Sequence, residues 1–179
     1  LLNRSSDLLS WAWMSAARTI GPCTSESRAC TIRSNVWAAC RGLLRGSSHL
    51  KIGRASNLDW EDMTSDKQGN IYIGDIGNNS NERRELIIYK INPELVEDDR
   101  IRADLISFTY PDQHAFPPAL PFRRFDMEAM VWKSGFLYLF SKNRTDPFDG
   151  MVHCYRLPDR PGSYTAALID SFYTGPGTM

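Results

Sequence analysis

Two short runs place carboxylates at a spacing that invites a chemical reading. Asp59, Glu61 and Met63 in "DWEDM" recur as Asp126, Glu128 and Met130 in "DMEAM". In a strand, residues i, i+2 and i+4 share a face, so straight alternation puts each Asp-Glu-Met set on one side, with Trp60, Asp62 and Thr64 on the other. Carboxylates crowded together repel one another and shift their pKa values, and a hard cation among them relieves that repulsion. Calcium takes roughly six to eight oxygen ligands at about 2.3 to 2.6 Å. Asp59, Glu61, Asp126 and Glu128 are therefore candidate calcium ligands, although the spacing alone does not specify the ion.

A second set of candidates lies just downstream of each run. In "GDIGNNSNERR", Asp75, Asn78 and Asn79 offer oxygen donors beside Gly74 and Gly77, which let the backbone turn tightly. The corresponding stretch "SKNRTDPFDG" supplies Lys142 and Arg144, suited to a phosphate or carboxylate. These five residues are the expected ligand-binding loop. The plainer reading of both stretches is a solvated loop, including a solvated Arg83 and Arg84. His49, His114 and His153 fall in three unrelated contexts, so no Ser-His-Asp or Cys-His set can be argued.

The two acidic runs belong to a longer internal repeat. "GNIYIGDIGN" from Gly69 matches "GFLYLFSKNR" from Gly135, "IIYKIN" from Ile87 matches "HCYRLP" from His153, and "LISFTYP" from Leu105 matches "LIDSFYTGP" from Leu168. Each copy offers four short strands punctuated by Gly, Asn, Asp and Pro. Four antiparallel strands per repeat describe a propeller blade, whereas a β-sandwich would not predict an ordered four-part repeat. "SDKQGN" and "KSG" read as the first hairpin of each copy, with Gly69, Asn70 and Gly135 available for positive φ. The Pro-rich "YPDQHAFPPALPFRRF" reads as the connection between blades. Cys154 aligns with Ile88 and reads as a small core residue.

The expected fold is therefore all-β: a partial β-propeller of two four-stranded antiparallel blades, about residues 57–111 and 124–176, with the outer strand of a third blade around "HLKI". A closed ring needs about four to eight blades, so this length of chain does not close one. A residue written into each repeat first of all solves a packing problem. On that logic Asp59, Glu61, Asp126 and Glu128 are architecture before they are ligands, and residues written once, such as Asp62, Asp75, Asn78 and Asn79, are better functional candidates.

Residues 1–50 read differently. They contain no Lys, Phe, Tyr or Gln, while holding six of the Arg, nine Ser, three Trp and three of the four Cys in the chain. This Arg/Ser/Cys-rich stretch is expected to be poorly structured or short-helical over "SDLLSWAWMSAAR", and is either foreign to the domain that follows or an ordinary extension of it. "LLSWAWMSAA" lacks the basic flank of a signal peptide. Cys23, Cys30, Cys40 and Cys154 match no CxxC or zinc spacing, and leave the disulfide state open. Lys plus Arg and Asp plus Glu balance at 21 each, which disfavours nucleic-acid binding, and no apolar run approaches the length of a membrane span.

From about residue 50 onward, "NLDWEDM", "GNIYIGDIGNN", "FDMEAMVW" and "GFLYLFSKNR" together resemble the propeller region of secreted or surface-exposed bacterial proteins, a group without an assigned function. "DMEAM…LYLFSKNR" is also distantly similar to the DxEG strand of calcium-dependent β-propeller phytases and esterase-like phytase relatives, with Ala129 in place of the glycine. The first resemblance implies an extracellular or cell-surface module that binds a small molecule, a polysaccharide or a protein. The second implies a calcium-dependent phosphoester or ester hydrolase with calcium at Glu128 and, in the other copy, Glu61. The two differ in one geometric requirement: the hydrolase needs Lys142 and Arg144 to face the same cavity as Glu128.

Overall fold

The computed structural model describes residues 29–33 and 49–175, and these are all-β apart from two single 3-10 turns at Pro93–Leu95 and Leu120–Phe122. The strands are β1 (Ala29–Arg33), β2 (His49–Gly53), β3 (Trp60–Ser65), β4 (Ile71–Asp75), β5 (Leu86–Ile91), β6 (Arg100–Arg102), β7 (Asp104–Thr109), β8 (Asp126–Lys133), β9 (Phe136–Lys142), β10 (Met151–Pro158), β11 (Gly162–Thr165) and β12 (Ala167–Tyr173). They form three open sheets, ordered β1-β2-β6, β11-β7-β5-β4-β3 and β12-β10-β9-β8. The short-helix expectation, Cys23 and Cys40 lie outside the described residues.

Each sequence repeat makes one antiparallel meander: β3, β4, β5 and β7 from the first copy, β8, β9, β10 and β12 from the second. The first hairpin of each is set by its turn residues. Ser134 and Gly135 both have positive φ between the paired Lys133 and Phe136, the two-residue turn whose twist suits antiparallel strands. In the first copy only Gly69 takes positive φ, and Asp66 supplies the rest of the turn by accepting the N–H groups of Gln68 and Asn70.

β4 reads "IYIGD" and is buried throughout, because it sits mid-sheet between two cores. On one face Tyr72, with Leu86, Ile88 and Phe108, packs against Leu137, Leu139, Tyr155 and Leu157 of the second meander. On the other, Ile73, Tyr89 and Ile91 pack against Leu50, Ile52 and Ile101 of the small sheet. Burial of side chains of this size stabilises by roughly 1.5 to 3 kcal/mol each, which explains why the two-sided run is continuous rather than alternating. "HLKI", expected as the outer strand of a third blade, is the strand β2, and it lies in a three-stranded sheet with β1 and β6.

Two details differ from the sequence reading. The sheet of the first meander has five strands rather than four, because β11, from the second repeat, crosses back and pairs in parallel with β7. Straight alternation also fails at the acidic runs. Trp60 pairs with Asp75 while Asp62 pairs with Gly74, and Met127 pairs with Ser141 while Ala129 pairs with Phe140. Glu61 and Glu128 are thus each the extra residue of a β-bulge, at the same place in both copies. The bulge puts Trp60 and Asp62 on opposite faces of β3, each of them buried, and leaves the intervening Glu61 unpaired in the ladder.

The inner strands β3 and β8 lie side by side and are joined by side-chain staples. Asp62 accepts the Met130 N–H at 2.8 Å and the Met63 N–H at 2.8 Å, and Thr64 Oγ1 accepts the Trp132 N–H at 3.1 Å. Burial, only partly offset by these two N–H groups, raises the Asp62 carboxyl to about 6. Asp62 is written once because it joins two repeats, a packing reason rather than a functional one.

Candidate metal centre

The loops β4–β5 (76–85), β7–β8 (110–125) and β9–β10 (143–150) lie at the same end of the sheets as the starts of β3 and β8. There the two bulges bring the repeated carboxylates together. Glu61, Asp126 and Glu128 can each offer one oxygen such that all three lie within 4.8 Å of one another. Asp59 adjoins Glu61 within hydrogen-bonding reach but is not one of that triad. Gly77 closes the floor: its N–H donates to the Asp59 carbonyl at 3.1 Å, and a Cβ there would fall well inside van der Waals contact with the Asp59 and Glu61 carboxylates. Only a residue without a side chain lets the backbone come so close.

The residues written once hold the residues written twice. Asp75 is fully buried, accepts the N–H groups of Leu58 and Asp59 at 3.3 and 3.0 Å, and so fixes the entry of β3. Arg83 neutralises it, donating to Asp75 Oδ1 at 3.0 Å and to the Gly77 carbonyl at 2.7 Å, so this arginine is an anchor and not a solvated side chain. The Asn78 backbone N–H donates to Asp126 Oδ1 at 2.7 Å and its side chain donates to the Phe125 carbonyl at 3.1 Å, fixing the entry of β8. Asn79 donates to Asp59 Oδ2 at 3.1 Å and accepts from Arg144. The β7–β8 connection braces the same end, since its Arg123 and Leu120 carbonyls accept the N–H groups of Arg144 and Asp146.

Both basic candidates reach into the cluster. Arg144 Nε donates to the buried Asp126 at 2.8 Å and its Nη2 lies 3.4 Å from Glu128 Oε1. Lys142 Nζ lies 3.0 Å from the same Glu128 oxygen. Lys142 and Arg144 therefore both contact Glu128. Four carboxylates face two cations, and two of them, Asp59 and Glu61, form no ion pair among the described residues. The imbalance falls on Glu61, which forms no ion pair among the described residues; desolvation first, then the charges of Glu128, Asp59 and Asp126, push its carboxyl up to about 8.

The donor set suits a hard divalent cation. Every side chain is an oxygen donor and the triad is compact, and an ion there would take the place of the proton that Glu61 holds up to about pH 8. Both oxygens of Asp126 already accept a hydrogen bond, and each keeps a further lone pair with which it can also reach an ion. Sequence reasoning underrated Gly77 and Arg83. Glycine against a carboxylate pair and arginine eight residues after an aspartate are visible as residues, but their contacts are set by the loop path.

His153 and Cys154 lie on β10, which β9 separates from β8 in the sheet. The imidazole Nδ1 is 3.3 Å from the Tyr155 hydroxyl, which donates to Asp112, and burial lowers the His153 pKa. Cys154 is buried, and burial raises its thiol to about 12, so it is an inert core side chain. No helix among the described residues is long and apolar enough to cross a membrane. No family model, curated protein or solved structure matches the chain.

Proposed function

We propose that this chain is part of a propeller-type repeat protein that binds a divalent cation, calcium by the hardness of its donors, at the paired bulges of β3 and β8. Glu61, Glu128 and Asp126 hold the ion, while Asp59, Asp75, Asn78, Asn79, Arg83 and Arg144 set their positions. The observation that carries this reading is the triad of carboxylate oxygens within 4.8 Å, in a cluster where Glu61 has no ion-pair partner among the described residues. The module then presents the surrounding loops to a ligand, for which a small molecule, a polysaccharide and a protein all remain suitable classes, in the extracellular or cell-surface setting that the resemblance implies. Calorimetric titration with calcium chloride at pH 8.5 tests the site. Binding is expected for the native chain and lost in Glu61→Gln/Glu128→Gln; an equal heat from both proteins refutes it.

One observation favours a second reading. Lys142 and Arg144 converge on Glu128, so a phosphoester whose oxygens bridge the cation and these two side chains would meet positive charge on both sides. A calcium-dependent phosphoester hydrolase built this way should release phosphate from a generic aryl phosphate only with calcium present, and Lys142→Met should abolish that release while leaving calcium binding intact. Release that is indifferent to calcium, or none at all, refutes this reading alone.

A further inference from the structure

The short strands β6 and β11 do the same job in successive repeats. Each arises between the third and fourth strands of its own repeat, leaves that repeat, and adds in parallel to the outer strand of the sheet before it: β6 to β2, and β11 to β7. The details coincide. Ile101 of β6 sits beside Ile52, and Tyr164 of β11 sits beside Phe108. Two residues further on, buried Ala103 donates its N–H to the Gly53 carbonyl at 3.1 Å, and buried Ala166 donates to the Thr109 carbonyl at 2.9 Å. In the sequence both clips read as a large side chain, one residue, alanine, one residue and then "LI", namely "IRADLI" and "YTAALI".

The third sheet has the outer strand but, among the described residues, not the clip. Among the described residues nothing pairs with the outer edge of β12, whose inner edge is taken by β10. The side chains that a clip covers elsewhere are sealed, with Ile52 at 0 % and Phe108 at 1 % exposure, whereas their counterpart in β12, Phe172, is only half-buried. "ALIDSFY" carries one charge and no lysine or proline, so its edge protection is limited to that charge and the bulge at Ile169, where the register with β10 shifts.

We infer that the free edge of β12 is a docking site for an extended segment that adds in parallel and carries the clip pattern, a β-branched or aromatic residue followed two positions later by alanine. By analogy with the two clips seen, the large side chain lies beside Phe172 and the alanine N–H donates to the Tyr173 carbonyl. Main-chain hydrogen bonds supply the adhesion, and the alanine supplies selectivity, since both clip alanines sit where almost no solvent reaches.

Hydrogen–deuterium exchange of the full chain, read at β12 and at β7, tests this with a blocked peptide of residues 160–167 and the same peptide carrying Tyr164→Asp. The native peptide at millimolar concentration is expected to slow exchange of the outward N–H groups of β12 by about tenfold, leaving β7 unchanged, while the altered peptide has no effect. Equal protection by both peptides, protection by neither, or β12 protection that depends on chain concentration without any peptide would overturn the inference. The last outcome would mean that a second copy of the chain covers the edge.

Discussion

Replacing Glu61 with glutamine should make the protein more stable in alkali and leave it unchanged in acid. The folded chain holds the Glu61 proton up to about pH 8, whereas the unfolded chain releases it near 4.5. Between those values the folded state binds more protons than the unfolded one, so stability falls as pH rises through this window. Each pH unit of the interval corresponds to about 1.4 kcal/mol, which sets an upper limit near 5 kcal/mol. Glu61 is only half-buried, and solvent screening reduces the expected loss to about 2 kcal/mol. Glutamine mimics the protonated acid in shape and hydrogen bonding and does not titrate. Urea unfolding of both proteins at pH 5 and at pH 9 reads the effect. The midpoints should coincide at pH 5, and at pH 9 the variant should unfold about 1 M higher for a slope of about 2 kcal/mol per molar. Saturating calcium should restore the native protein at pH 9 and do little for the variant. Stability curves that stay parallel from pH 5 to 9 would show that Glu61 carries no unmatched charge, and the reasoning from the cluster would fail.

Gly77→Ala should push a methyl group into the Asp59 and Glu61 carboxylates, lowering stability by about 1 to 3 kcal/mol in thermal melts and weakening calcium binding in the same calorimetric titration. Asp62→Ala leaves the Met63 and Met130 N–H groups without their acceptor and is expected to cost about 2 to 4 kcal/mol in urea unfolding with the slope unchanged. Arg83→Ala strands the buried Asp75 carboxylate, and a loss of about 3 to 5 kcal/mol is expected by the same measurement. A loss below about 1 kcal/mol in that variant would mean that water, rather than Arg83, satisfies Asp75.

The meanders were legible because their signals are local. A buried strand such as "IYI", a two-residue turn such as Ser134-Gly135 and a repeated "DxExM" can each be read within ten residues. The bulges were not, since an extra residue at Glu61 and Glu128 occurs in both copies and leaves the repeat spacing intact. Alternation read straight through them therefore put Met63 and Met130 on the same face as the acids. The roles of Asp62 and Asp75 depend on partners far along the chain, Met130 for one and Leu58 and Asp59 for the other. The rule that once-written residues are free for function met its physical limit there, because a joint between two repeats is also written once. The clips escaped notice because three or four residues beside an outer strand look like its frayed start.

The parallel clips bear on the order in which the molecule can assemble. The outer edge of β7 stays open until residues 162–165 exist, more than fifty positions later, and β2 likewise waits for β6. A growing chain must therefore carry each finished meander with one bare edge while the next is made, which lengthens the sequence separation of its contacts and slows folding. Once the clip arrives, neighbouring repeats are tied by backbone hydrogen bonds as well as by packing, so they should unfold as one cooperative unit and not peel away singly.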